Sequence, residues 1–235
     1  MRQPSRREIE RIRTKLNAWF AVKGRSFPWR KRSATLYEQV VSEVLLQRTR
    51  ADVVGAFFPR FKQRYPSWKR LSHATEADLR VILQPLGLWR RRASSLLRLA
   101  QTIADNNGRF PKNRSDIESL PAVGQYVCNA ILLFANRQPE PLLDVNMARV
   151  LERCFGPRRL ADIRYDAQLQ EISRWVVSGP RAASINWAIL DLASMVCVER
   201  RPRCSDCPIS RECDFYKANR DWPREPSHQH GVRTE

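Results

Sequence analysis

No stretch of this chain stays apolar over the roughly 18 residues that a bilayer-spanning helix needs, so no transmembrane segment is expected. The basic start, Met1-Arg2-Gln3-Pro4-Ser5-Arg6-Arg7, leads into no apolar h-region, and no secretory signal is read there. Histidine is scarce, three in 235 residues with two of them near the C-terminus, which weighs against catalysis built on imidazole. Strand signals are nearly absent: no run of period-two alternation is bounded by turn residues, so an all-α fold is expected. Neither an internal repeat nor a low-complexity tract is found.

Acidic residues are also short, 24 Asp and Glu against 42 Lys and Arg. The resulting charge of +18 and a pI near 10.6 fit a polyanionic partner, most often nucleic acid; a ribosomal or merely basic protein is the plainer alternative. A hydrophobic content of 43% with seven Trp argues for a folded globule of one large or two small domains. The chain reads as a cytoplasmic, nucleoid-associated monomer, with nuclear or organellar placement open in a nucleated cell. In a reducing compartment its six cysteines suggest metal ligands or core thiols before disulfides.

Apolar residues recur at helical spacing along most of the chain. Ile9, Ile12, Leu16, Trp19 and Phe20 predict a helix over 7–21, and Val40, Val41, Val44 and Leu45 the buried side of one over 36–49. Phe27-Pro28-Trp29-Arg30 reads as an aromatic turn, either a packing corner or a DNA-facing element. Thr75-x-x-Asp78 resembles a capping box one carbon short and starts a helix that Pro85 and Gly87 close. Residues 89–106 form another, entered through the basic and aromatic cluster Trp89-Arg90-Arg91-Arg92. Arg137-Gln138-Pro139-Glu140-Pro141 reads as a connector between domains, with helices near 145–155, 165–178 and 182–197 beyond it and a polar, flexible tail over 217–235.

Leu120-Pro121-Ala122-Val123-Gly124 makes a short turn ahead of a helical run to Phe134. A helix entered so sharply leaves unpaired N–H groups at its start, and with the helix dipole these form a phosphate site. Val123, Gly124 and Gln125 are the candidate DNA contacts, through backbone groups blind to base sequence. An ordinary joint in a helical bundle is the alternative. Downstream, Leu142-Leu143 place Asp144 at an apolar wall where a helix begins, so it suits both an N-cap and an ionised carboxylate in a dry pocket. Such a carboxylate suits N-glycosidic cleavage, in which positive charge grows on a sugar whose base has been flipped out.

Cys197, Cys204, Cys207 and Cys213 follow the spacing C-x6-C-x2-C-x5-C within 17 residues. Chemistry alone allows a four-thiolate zinc site or an iron–sulfur cluster. Cys128 and Cys154 are read as separate buried thiols. The intervening Arg200, Arg201 and Arg203 would meet phosphates from a metal-stiffened loop, or form a solvated charge run.

These residues resemble the endonuclease III and adenine glycosylase superfamily of helix–hairpin–helix base-excision enzymes. The cysteine spacing is similar to that superfamily's [4Fe–4S] array. Leu120-Pro121-x-Val123-Gly124 resembles its hairpin and Asp144-x-Asn146-x-x-Arg149-Val150 its catalytic-aspartate segment. Ser42-Glu43-Val44-Leu45-Leu46-Gln47-x-Thr49 resembles the helix end that supplies a pocket acid, Glu43, and a strand-penetrating glutamine, Gln47. The resemblance implies two helical lobes: a six-helix lobe over 31–137, and a cluster lobe combining 1–30 with 138–216. It implies a mismatched or damaged base in double-stranded DNA as substrate, Asp144 as carbocation stabiliser and water activator, and Arg48 at the orphaned guanine or a phosphate.

Members that also nick the strand carry Lys where this chain has Tyr126, and adenine glycosylases usually carry Ser. Tyr126-Val127-Cys128 looks most like the thymine/uracil mismatch glycosylases acting on G·T and G·U. The expectation is therefore a monofunctional enzyme with little or no lyase activity. An adenine-mismatch glycosylase lacking the 8-oxoguanine-sensing domain and a non-catalytic DNA-binding iron–sulfur protein are the rivals. Ala122 stands for the usual hairpin Gly. Trp187, in the substrate pocket, stands where the thymine mismatch enzymes carry a smaller apolar residue.

Overall fold

The computed structural model describes residues 1–219, and these hold twelve α-helices, short 3-10 turns and no strand. Residues 220–235, the greater part of the expected tail, lie outside the described residues. Lys217 and Ala218, read as the start of that tail, instead end the last helix.

Helix α1 (Arg6–Lys23) starts where the Ser5 hydroxyl accepts from the Glu8 N–H at 3.2 Å. Helix α2 (Leu36–Leu46) opens on a full capping box: the Thr35 hydroxyl accepts from the Glu38 N–H, and the Glu38 carboxylate accepts from the Thr35 N–H at 2.6 Å. It stops at Leu46, three residues before the expected end, because Arg48 takes a left-handed conformation at φ 55°. Helices α3 (Ala51–Arg64), α4 (Trp68–Ser72), α5 (Glu76–Leu83) and α6 (Trp89–Asp105) follow, with Thr75 capping α5 as its sequence predicts.

Helix α7 (Arg114–Glu118), the turn at 119–124 and α8 (Gln125–Phe134) form the hairpin. Beyond the connector come α9 (Val145–Phe155), α10 (Ala167–Val177), α11 (Ala182–Met195) and α12 (Asp214–Ala218).

Two apolar cores organise these elements. The first gathers α2 to α8 around Val40, Leu45, Phe58, Leu79, Leu96 and Ile131. It also takes in Phe27 and Trp29, upstream of the expected start at 31, which stack in parallel at 4.9 Å. The aromatic turn is thus a packing corner, its rings removed from solvent. The second core joins α1 to α9, α10 and α11 through Ile12, Leu16, Leu151, Phe155, Ile189 and Leu192. A small apolar patch of Ala130 and Leu133 on α8, Leu142, and Ala182 on α11 lies where the two halves meet.

One polar clasp fixes the halves further. Asp191 on α11 is fully buried and accepts from Arg25 Nε at 2.9 Å and Arg30 Nη1 at 2.8 Å, the arginines that bracket the Phe27–Trp29 corner. A buried carboxylate is tolerable only with such pairing. An acid inside the apolar run Ala188-Ile189-Leu190-Asp191-Leu192-Ala193 already signals a buried partner, though its identity is beyond local sequence.

Candidate active site and cysteine-lined cavity

Three expected site residues converge from three elements. Glu43, one turn from the end of α2, is 1% exposed and accepts a hydrogen bond from Tyr126 Oη of α8 at 2.9 Å. Asp144 caps α9: its Oδ1 accepts from the N–H groups of Asn146 at 2.9 Å and Met147 at 2.8 Å, and its Oδ2 accepts from Asn146 Nδ2 at 2.6 Å. Its charge is felt at both Glu43 and Tyr126.

Burial dominates the electrostatics. It lifts the Glu43 carboxyl to about 7 against the hydrogen bond from Tyr126 and the charge of Arg30, with Asp144 pushing the same way as burial. Burial and the charges of Glu43 and Asp144 hold the Tyr126 phenol well above its usual value, so it remains a donor. Asp144 is raised too, first by burial. The helix-start N–H groups, Asn146 and Arg149 oppose this without overcoming it. The N-cap role expected of Asp144 is present, but the environment as a whole makes it a better proton acceptor than a free Asp.

Asn146 and Arg149 form a support that no role had been attached to. Arg149 Nη1 donates to Asn146 Oδ1 at 3.2 Å, and its Nε and Nη2 donate to the carbonyls of Cys197 and Ala193. Helix α9, about 16 Å long, thus has Asp144 at its cap and, in its last turn, Arg153 against the cysteine loop.

The hairpin differs in detail from its sequence reading. Val123 packs into the first core, and its N–H donates to the Leu120 carbonyl, so it is not a free phosphate donor. The Gln125 side chain is engaged by Gln170 of α10 at 3.2 Å, leaving its backbone N–H as the candidate contact. Gly124 caps α8, and a Cβ added there would meet nothing within 4 Å, so that face is open to a close-lying strand. Ala122 sits at φ 62°, a conformation that favours Gly, which accounts for the residue type its resemblance leads one to expect there.

Gln47 and Arg48 lie exposed on the turn after α2. The Thr49 hydroxyl donates to the Leu86 carbonyl at 3.2 Å and accepts from Arg92 at 3.0 Å. This joins their turn to a second one carrying Leu88, which is 53% exposed at φ 48°. Arg92 is itself buried and donates to the Leu45 and Gln47 carbonyls. Of the basic cluster at 90–92, it shapes this edge from inside, whereas Arg90 and Arg91 are exposed. Leu88 went unremarked in the sequence; the turn residues Gly87-Leu88 before an amphipathic helix were the available signal.

Cys197, Cys204, Cys207 and Cys213 line one cavity together with Arg153, Val196, Arg203 and Phe215. Arg153 Nη1 donates to Cys197 Sγ at 3.2 Å and to the Val198 carbonyl at 2.7 Å. A tetrahedral zinc bound at about 2.3 Å would draw its sulfurs to about 3.8 Å apart. Four thiols around one cavity suit a four-thiolate zinc site or an iron–sulfur cluster. Cys154 is not remote from this centre as expected: it packs in the same core as Cys197, Cys207 and Cys213. Arg200, Arg201 and Arg203 are exposed on the same loop, with Arg201 at φ 50°.

The chain is similar to known proteins. A family model for HhH-GPD superfamily base excision DNA repair proteins matches residues 41–175. The thymine-DNA glycosylase of Aeropyrum pernix is 36% identical over 213 residues, covering 88% of this chain and 95% of its own length. The thymine/uracil-DNA glycosylase of Pyrobaculum aerophilum is 35% identical over 218 residues, covering 89% and 94%. The solved structure of a thermostable thymine-DNA glycosylase matches with a TM-score of 0.78 at 27% identity, over 90% of this chain and 98% of that one. The matched segment runs from α2 to α10 and so contains Glu43, the hairpin and Asp144. On this likeness and its extent, the chain belongs to the HhH-GPD superfamily of base excision DNA repair proteins and is a DNA glycosylase.

Proposed function

We propose that this glycosylase removes thymine or uracil mispaired with guanine, by hydrolysis and without opening the strand. The observation that carries this reading is the group of buried Glu43 with half-buried Tyr126 and Asp144. The C1′–N bond breaks with its electron pair leaving on the base, and Asp144 lies ready to balance the positive charge on the sugar. Water adds to C1′ and gives its proton to the Asp144 carboxylate. Protonated Glu43 offers a hydrogen bond to the departing base. Tyr126 supports Glu43 and has no amine with which to form a Schiff base. The extended likeness to thymine and thymine/uracil glycosylases supports the choice of base.

Duplex DNA would run across the open face at Gly124, with Gln47, Arg48 and Leu88 at the point where a base leaves the stack. An exposed apolar residue on a rigid turn suits wedging between base steps. Arg200, Arg201 and Arg203 would add phosphate contacts. Cys197, Cys204, Cys207 and Cys213 would hold a [4Fe–4S] cluster, which ties the arginine loop into the second core.

Duplexes with one G·T, G·U or A·8-oxoguanine pair test the reading. After alkali, strand scission at G·T and G·U is expected, and none before alkali. Borohydride added during the reaction traps no protein–DNA adduct. Scission opposite 8-oxoguanine in place of the G mispairs would support an adenine glycosylase, and a trapped adduct would overturn the hydrolytic assignment. Purified protein is expected to absorb in the blue and to carry about four iron atoms per chain. One zinc and no such band would refute the cluster.

A further inference from the structure

Trp187 carries a buried donor that the fold does not use. Its Nε1–H is shielded from solvent and has no hydrogen-bond partner among the described residues. Leaving such a group unmet is unfavourable, so a persistent orphan donor suggests a partner that arrives with the ligand. Its ring stacks on Phe134 of α8 at 6.0 Å, and the Arg30 guanidinium lies 5.6 Å from its centroid.

Both neighbours lead to the catalytic group. Phe134 packs in the patch that also takes Tyr126. Arg30 is fixed by Asp191, one helical turn beyond Trp187, and its charge acts on Glu43 and Tyr126. Arg30 Nε is a second buried donor without a partner. Trp187 and the arginine whose charge reaches Glu43 thus each carry an unmet N–H donor.

We propose that Trp187 determines base specificity by donating its Nε1–H to the C4 carbonyl of the flipped base. This rests on the thymine/uracil reading and adds its atomic basis. Thymine and uracil present carbonyl acceptors at C2 and C4 flanking one N–H, whereas cytosine carries an amino group at C4 and adenine has no ring carbonyl. An indole donor at that carbonyl would meet the amino group of cytosine donor to donor, leaving both unsatisfied. The large ring at position 187 thus selects for the product of deamination and against its parent base.

The test compares wild type with Trp187→Phe, which keeps an aromatic ring on Phe134 and removes the N–H. Single-turnover excision is measured opposite guanine for uracil, 2-thiouracil and 4-thiouracil, whose sulfur accepts hydrogen bonds poorly. Wild type should discriminate against 4-thiouracil. W187F should excise uracil about tenfold more slowly and lose the discrimination against 4-thiouracil, while treating 2-thiouracil as wild type does. Intrinsic leaving-group differences cancel between the two proteins. Binding to duplex holding an abasic analogue should not change.

Unaltered uracil excision by W187F, or unaltered discrimination against 4-thiouracil, would overturn the assignment. If W187F does not fold, equal excision of uracil and both isomers by wild type does so. Failure of wild type to remove uracil or thymine from any G mispair would instead overturn the underlying function.

Discussion

Asp144→Asn is expected to slow release of the mispaired base by about 10²–10⁴-fold in single turnover without unfolding the protein. The reason lies in the two tasks of this side chain. As the cap of α9 it accepts from two backbone N–H groups through Oδ1, and Asn caps helices as well as Asp does. The amide cannot neutralise a sugar cation or take a proton from water. It also exchanges the second oxygen, which now accepts from Asn146 Nδ2, for a donor, at a stability loss of about 1 kcal/mol. Asp144→Ala would remove the cap as well, so a comparison of the two by thermal unfolding separates capping from chemistry. Wild-type excision by Asp144→Asn would sink the proposed mechanism.

Glu43→Gln is expected to make a slower enzyme and a more stable protein. Burial raises this carboxyl from 4.5 to about 7, so the folded state binds its proton more tightly than the unfolded chain. Between those values folding takes up a proton, and stability falls as pH rises. The loss reaches about 3 kcal/mol above pH 7. Gln cannot ionise, and its Oε1 can still accept from Tyr126. Its stabilising effect should therefore be greatest near pH 8 and vanish near pH 4, as denaturant titrations at the two pH values would show.

Catalysis should move the other way. Wild-type excision should fall as pH rises through about 7, because the protonated form donates to the leaving base. In E43Q that limb should be absent and the rate about 100-fold lower. A wild-type limb that persists in E43Q would assign the titration elsewhere.

Much of this was legible in local sequence. Thr75 and Asp144 announce helix starts because their side chains reach N–H groups only two or three residues away. The cysteine spacing is likewise local. The misreadings all concern where a side chain's partner lies. Arg92 looks like a surface cation beside Arg90 and Arg91, yet it satisfies carbonyls of the α2–α3 turn more than 40 residues earlier. Val123 looks like part of a phosphate-binding turn, but its apolar side chain is drawn into the core. The end of α2 was misplaced because nothing in Gln47-Arg48 marks the left-handed turn that tertiary bonds from Arg92 and Thr49 hold in place. Asp191 and Arg30, 161 residues apart, meet only once both halves have folded.

The most direct test of the central claim is chromatographic detection of the free base after incubation with a G·T or G·U duplex, with strand integrity followed on a denaturing gel. We expect free thymine or uracil to accumulate from wild type while the strand stays whole until alkali is added, and neither base to be released at a comparable rate by Asp144→Asn. Strand breakage without alkali, or an intact mispaired base after prolonged incubation with wild type, would contradict the account.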